Sequence, residues 1–327
     1  MTEPARVRLQ HLISGFIVTQ TVGTIVRLGI PQLVSERARS AAELAEASGA
    51  DPDALRRGLR MLASKGVFAE KGGVIVHTEL SELLHPGVPG SLEGQARLFA
   101  SLHYETWGDS FETFRTGEPA FPRLHGRPLF DWFSDHPEEA ETFNRAMAGG
   151  AAGRRGVLFE RDWSDVRTVV DVGGGTAATL TAVLAANAHL HGIVFDLEHA
   201  REDAERTIRE AALADRCSFV AGSFFEAVPP GADAYVLSAI LHDWDDERAR
   251  AILRTCRAAA HRESRLILVE AILAEGDEPD WMKVLDLHML VVLGGRERSE
   301  AEWGALLETG GFRLDAARNG LLEASPA

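Results

Sequence analysis

From about residue 165 the chain alternates short apolar runs with amphipathic stretches, and this alternation narrows the fold more than any other feature. The runs at 167–172, 191–196, 217–221, 234–238 and 265–270 read as buried strands. The stretches at 176–187, 200–214 and 245–260 read as the helices between them. Helices at 281–293 and 300–310 follow, and a short hairpin, 312–316 with 321–324, closes the chain around Asn319-Gly320. Strands that alternate with helices predict an α/β fold, a parallel sheet covered on both faces. Ligands then sit at the carboxyl ends of the strands.

The first 100 residues read differently. Residues 9–34 carry apolar positions at helical spacing and many small side chains, the pattern of a helix with two buried faces at a subunit interface. Ser40 and Glu43 form a capping-box pattern, and Gly49 ends that short helix. Asp51-Pro52 starts the next, with Leu55, Leu59 and Leu62 on one face and Gly66 after it. Residues 67–70 and 74–77 read as a hairpin around Gly72-Gly73. Helix, turn, helix and wing make a winged-helix pattern, which serves either DNA recognition or packing. Charge favours packing. The second helix sets Arg56, Arg57 and Arg60 against Asp51 and Asp53, and residues 1–90 hold 10 basic and 9 acidic side chains. The whole chain carries 34 basic and 49 acidic residues, net −15, so the acidity lies in the C-terminal part. That balance speaks against nucleic-acid backbones and anionic membrane surfaces.

No apolar run approaches the roughly 18 residues of a membrane span, and the N-terminal residues show no charged-then-apolar signal. The two cysteines, Cys217 and Cys256, lie in no metal-ligand spacing. They read as reduced thiols of a cytoplasmic protein, and no metal site is expected. Between 91 and 160 the chain is helical and aromatic, with Trp107, Phe111, Phe114, Phe121, Phe130, Trp132, Phe133 and Phe143. Most of these rings must pack a core, and some are candidates to wall a pocket for a flat apolar ligand. The expected division is therefore 1–95, 96–160 and 161–327.

Two constellations carry chemistry. Asp171-Val-Gly173-Gly174-Gly175 lies between the first strand of the sheet and its helix, and Asp196 ends the next strand, 21 residues after Gly175. Glycines let a ligand approach the backbone, and an acid in that register accepts hydrogen bonds from ribose hydroxyls. The loop also fits a dinucleotide fingerprint. A nicotinamide enzyme, however, needs a hydride-acceptor site, whereas S-adenosylmethionine needs a sulfonium pocket and a neighbouring nucleophile. Ser223-Phe224 follows the third strand, and an aromatic there can cover an adenine face. The other constellation is His242, in Leu241-His-Asp243-Trp244, beyond Ser238 at the end of the fourth strand. Glu270 ends the fifth strand and Glu297 follows Gly294-Gly-Arg, so all three are expected on one rim. A carboxylate bonded to one imidazole nitrogen fixes the tautomer and leaves the other nitrogen to take a proton.

These residues carry a resemblance. The sequence resembles the S-adenosylmethionine-dependent O-methyltransferases of the plant caffeate type, whose bacterial branch tailors polyketides and other aromatic natural products. The likeness runs through Trp107, Arg115-Thr-Gly-Glu-Pro-Ala-Phe121, Phe143-Asn-Arg-Ala-Met147, Val170-Asp-Val-Gly-Gly-Gly175 and Val194-Phe-Asp-Leu197. It continues through Leu241-His-Asp-Trp-Asp-Asp246, Asp286-Leu-His-Met-Leu290 and Gly294-Gly-Arg-Glu-Arg298. It implies a seven-stranded, doubly wound methyltransferase sheet with an N-terminal winged-helix-like dimerisation domain. It implies His242 as catalytic base, with Glu270 and Glu297 as its flanking carboxylates. Asp171, Gly173, Gly175, Asp196, Leu197, Ser223, Phe224, Ser238, Asp243 and Trp244 would line S-adenosylmethionine, which leaves as S-adenosylhomocysteine. Trp107, Phe143, Met147, Asp286 and Met289 would line the acceptor, a small aromatic molecule. Arg6 and Arg8 are candidates to reach an acceptor carboxylate across a homodimer. The chain departs from the pattern at Ser223, where many relatives carry Asp, and at Ser238, where plant members carry Lys. Methylation of nitrogen or carbon, a winged-helix ligand sensor and a catalytically silent protein of the same fold are the alternatives.

Overall fold

The computed structural model describes residues 4–327; Met1, Thr2, Glu3 and the side chains of 148–155 lie outside the description. Its strands in chain order are β1 (Phe68–Lys71), β2 (Val74–His77), β3 (Thr168–Val172), β4 (His191–Asp196), β5 (Cys217–Ala221), β6 (Ala234–Ser238), β7 (Arg265–Val269), β8 (Phe312–Arg318) and β9 (Leu321–Pro326). The last seven form one sheet in the order β5-β4-β3-β6-β7-β9-β8. The five strands from β3 to β7 are parallel.

Period-2 alternation gives this sheet two cores. Val169, Val194, Val236 and Ile267 face helices Ala178–Ala186 and Arg201–Glu210. Val170, Phe195, Leu237 and Leu268 face helices Asp246–Ala259 and Glu300–Thr309. The closing hairpin expected at Asn319-Gly320 is present and adds two strands to the parallel five. Asn319 and Gly320, both at positive φ, turn the chain back, and β9 pairs antiparallel with β7. The alternation of β9 continues both cores, with Leu321 on one face and Leu322 and Ala324 on the other. Burial of those side chains fixes its place and register.

The strand order reverses between β3 and β6. Chains leaving their carboxyl ends diverge there, which is where doubly wound sheets bind their ligands. The glycine loop follows β3, and the His242 segment follows β6.

By contacts the chain divides into two units, 1–109 with 127–152 and 110–126 with 153–327. The stretch expected to stand as a middle segment, 96–160, is thus shared between them. In the first unit, Ile25, Ile30, Leu44, Leu55, Leu59, Leu62, Phe68 and Ile75 form the core beside the β1–β2 hairpin. The capping box of Ser40 and Glu43 is present, and Asp51 caps Pro52–Ser64. The single helix expected over 9–34 is three: Ala5–Ile13, Gly15–Arg27 and Ile30–Glu36. Ser14 leaves helical geometry with φ −88° and ψ 6°, and Gly29 adopts φ 70°, so neither continues the helix. No single helix among the described residues is long and apolar enough to cross a membrane.

Candidate active site

The loop after β3 is shaped by what cannot fit in it. Gly173 has φ 75°, and a Cβ there would lie 2.5 Å from Ile240 Cδ1 and 3.8 Å from Phe224 Cε1. Ile240 and Phe224 therefore wall the glycine loop from the β6 and β5 sides. Gly175 donates its N–H to Asp196 Oδ2 at 2.8 Å, while Leu197 donates to Asp196 Oδ1 at 2.6 Å. Among the described residues, the acid at the end of β4 is thus aimed by backbone N–H groups. Asp171 is buried under the loop, and its Oδ2 has no hydrogen-bond partner among the described residues. Burial, with Asp196 adding to it, raises its carboxyl to about 7.

Past β6 the chain enters a strained turn: Ala239 has φ 55°. Glu270, completely buried beyond β7, accepts from the N–H groups of Ile240 at 3.0 Å and Leu241 at 2.8 Å. This acid was expected to flank the imidazole. Its hydrogen bonds cap the backbone of the short helix Leu241–Asp243 that carries His242, and its charge also acts on the ring. Glu297 holds the ring, since His242 Nδ1 donates to its Oε1 at 2.7 Å. That bond assigns the remaining proton-accepting position to Nε2. Nε2 is not open on all sides, because Asp243 Oδ1 lies 3.4 Å from it. Burial works against a charge on this ring, but Asp243, Glu270 and Glu297 outweigh it and raise the imidazole to about 10.

Other side chains complete the rim. Asp286 Oδ1, on helix Trp281–Val292, accepts from the N–H of Glu297 at 2.9 Å, so it positions the acid that holds the His242 ring. Met289, buried on the same helix, accepts from Gly294 and Gly295 through its carbonyl. Gly295 has no room for a side chain; a Cβ would lie 2.1 Å from the carbonyl oxygen of His242. Phe224, Phe225 and Trp244 form an edge-on aromatic group, with the Arg248 guanidinium over the last two. Ser223 accepts from the N–H of Phe225, and Ser238 ends β6 beside Ala239.

The structure brings His242, Glu270, Glu297, Asp243 and Asp286 together, and sets Asp171, Gly173, Gly175, Asp196, Leu197 and Phe224 at the neighbouring strand ends. Trp107, Phe143 and Met147 belong to the first unit, where Phe143 packs on Phe130 and Phe133. Arg6 and Arg8 lie on helix Ala5–Ile13, which has no buried residue. Sequence reasoning missed Ile240, Arg248 and above all Arg298, a fully buried guanidinium. The only available signal was its position directly after Glu297 in the Gly-Gly-Arg-Glu-Arg segment.

A family model of an O-methyltransferase domain matches residues 107–313, and one of an O-methyltransferase dimerisation domain matches 10–87. A phenazine O-methyltransferase of Lysobacter antibioticus is 40% identical over 309 residues, 94% of this chain and 91% of that one. The structure of mitomycin 7-O-methyltransferase MmcR matches with a TM-score of 0.92 at 34% identity, over 99% of this chain and 98% of that one. NcsB1, an O-methyltransferase of neocarzinostatin biosynthesis solved with S-adenosylmethionine and 2-hydroxy-5-methyl naphthoic acid, matches with a TM-score of 0.83 at 33% identity. That match covers 94% of this chain and 96% of that one. The chain belongs to the S-adenosylmethionine-dependent O-methyltransferases.

Proposed function

We propose that this enzyme methylates a phenolic hydroxyl of a small aromatic natural-product intermediate, with His242 as general base. The observation that carries this reading is the 2.7 Å bond from His242 Nδ1 to Glu297, made at the end of β6 beside the strand-order reversal. It fixes one tautomer of the neutral ring, the form with Nε2 free to take a proton, and the cofactor's sulfonium charge would favour that form over the protonated ring.

The residues present suit the cofactor. Gly173 and Gly175 keep side chains out of the loop, Asp171 holds a buried oxygen in reserve, and Asp196 is pre-aimed by two backbone N–H groups. Asp196 would take the ribose hydroxyls. Phe224 would cover the adenine, with Leu197, Ser223, Ser238, Asp243 and Trp244 around it. S-adenosylmethionine supplies, when bound, a methyl group on a cationic sulfur, a charge that also opposes a proton on His242. A phenol, with a pKa of about 10, keeps most of its protons near neutrality. His242 would take that proton at Nε2 as the acceptor oxygen gains the methyl carbon, while the bond from that carbon to sulfur breaks and its electron pair stays on sulfur, leaving S-adenosylhomocysteine as a neutral thioether. General-base help of this kind is worth roughly 10²–10⁴-fold.

The aromatic acceptor class is supported by the relatives, one named a phenazine O-methyltransferase and another solved with 2-hydroxy-5-methyl naphthoic acid. A homodimer through the N-terminal unit is supported by its first helix, where Leu12 is 78% and Ile13 68% exposed. Nucleic acid is disfavoured by Asp53, which pairs with both Arg56 and Arg57 on the helix that would have to read it. Cys217 and Cys256 are free, buried thiols, as suits a cytoplasmic enzyme.

The test is a panel of phenols, hydroxy-aryl acids and matched aryl amines, incubated with enzyme and cofactor. Mass spectrometry should find one added methylene, placed on oxygen. Methylation confined to amines or ring carbons would overturn the oxygen assignment.

A further inference from the structure

The segment that delivers Glu297 is fastened to the segment that carries His242, and the fastening converges on one side chain. Arg298 is 1% exposed, among the largest fully buried residues. Its Nη1 donates to the carbonyl of Leu241 at 3.2 Å, immediately before His242. Its Nη2 donates to the carbonyl of Trp244 at 3.0 Å, two residues after it. Nε and Nη2 both reach Asp246 Oδ1, at 3.1 and 2.8 Å, and the guanidinium lies 5.0 Å from the Trp303 ring centre. Between these anchors, Arg296 donates its N–H to the carbonyl of His242 at 2.9 Å.

We propose that Arg298 is a positioning residue for His242: it clamps the backbone on both sides of the base while its neighbour Glu297 holds the ring. A buried guanidinium is costly unless every donor is used, and this one is spent on the carbonyls that bracket the base and on the acid that opens the next helix. A rigid planar fork fixes two carbonyls and a carboxylate in one geometry; an ammonium has three donors but, on a flexible stem, no such fixed arrangement. Glu297 and Arg298 are consecutive, so one rigid segment sets both the ring and the backbone beneath it. The proposal rests on the reading of His242 as base.

The test is a double-mutant cycle. Arg298→Met and Arg298→Lys are each made alone and together with His242→Ala. Turnover is measured at saturating cofactor and acceptor, cofactor Kd by calorimetry, and folding by thermal melts. Arg298→Met is expected to lower kcat by about tenfold or more with cofactor Kd within about threefold, Arg298→Lys to recover part of the loss, and Arg298→Met to cost less than about twofold in the His242→Ala background. Equal losses in both backgrounds would overturn the inference, because the clamp would then act on something other than the base. Unchanged turnover in His242→Ala alone would instead remove the base reading, a distinct result. Should Arg298→Met not fold, Asp246→Asn loosens the same guanidinium from a half-exposed site. It is expected to cost about two- to fivefold, and again nothing beyond the His242→Ala loss. An Asp246→Asn cost that persists there counts against the clamp.

Discussion

The two strand ends that meet at the reversal of the sheet solve the same problem in opposite ways. At β3 and β4 the site is made of backbone: glycines, their N–H groups, and one acid aimed by two of them. At β6 and β7 it is made of side chains delivered from far along the sequence, Glu270 under the turn, Glu297 on the ring and Asp286 behind Glu297. A ligand that only has to be held can be met by main-chain groups. A proton that has to be moved needs a titratable ring in one tautomer, and fixing that takes several braces. The contrast predicts that damage at the first end is read in affinity and damage at the second in turnover.

The largest effect separates them most sharply. His242→Ala should lose at least about 10²-fold in kcat with little change in cofactor Kd. Near-native turnover would dissolve the distinction. Glu297→Gln keeps the shape but weakens a charge-assisted bond worth roughly 1.5–3 kcal/mol, so kcat should fall about ten- to hundredfold. On the other side, Asp196→Ala should raise cofactor Kd by about tenfold while kcat at saturation holds. Calorimetry that found the affinity unchanged would take Asp196 off the ribose.

The same contrast explains what the sequence disclosed. The glycine loop and Asp196 lie within one strand–helix–strand unit, so spacing alone put them in register. His242, Glu270 and Glu297 were legible as a set only because each follows a strand or a glycine turn on the same rim. Their division of labour was not legible. Whether a buried acid meets an imidazole or two backbone N–H groups depends on where Ala239 and Ile240 turn. Arg298 was hidden for a related reason, since its partners are mostly carbonyls and a carbonyl carries no sequence signature. The antiparallel place of β9 was also hidden, because periodicity shows a strand but not its direction.

Acidity around the base gives a further handle. Folding raises the His242 imidazole from 6.5 to about 10. A group that holds its proton more tightly when folded stabilises the fold below the lower value and loses that contribution as pH climbs through the higher one. Melting temperature of the ligand-free protein should therefore decline between about pH 6.5 and 10, and His242→Gln should shrink the decline. The same decline in both proteins would mean that the carboxylates around the ring are not what holds the proton.

The smallest expected effect sharpens the comparison at backbone level. Each end carries an alanine in the left-handed region, Ala177 at φ 66° after the glycine loop and Ala239 at φ 55° before the base. That conformation costs an L-residue roughly 1–2 kcal/mol, and glycine returns about 0.5–1 kcal/mol of that as lost chain freedom. Ala177 is fully buried in the sheet core, so Ala177→Gly also gives up a packed methyl worth about 0.8 kcal/mol. Its stability should hardly move. Ala239 is only partly buried, so Ala239→Gly should stabilise the fold by up to about 1 kcal/mol. The added freedom lies next to the turn that Glu270 caps, and kcat should fall by a few-fold while cofactor Kd stays put. Chemical denaturation and turnover of the two variants together test whether strain is kept at the β6 end because the base needs a stiff mount. A gain in stability with no loss of rate in Ala239→Gly would show that the braces alone suffice.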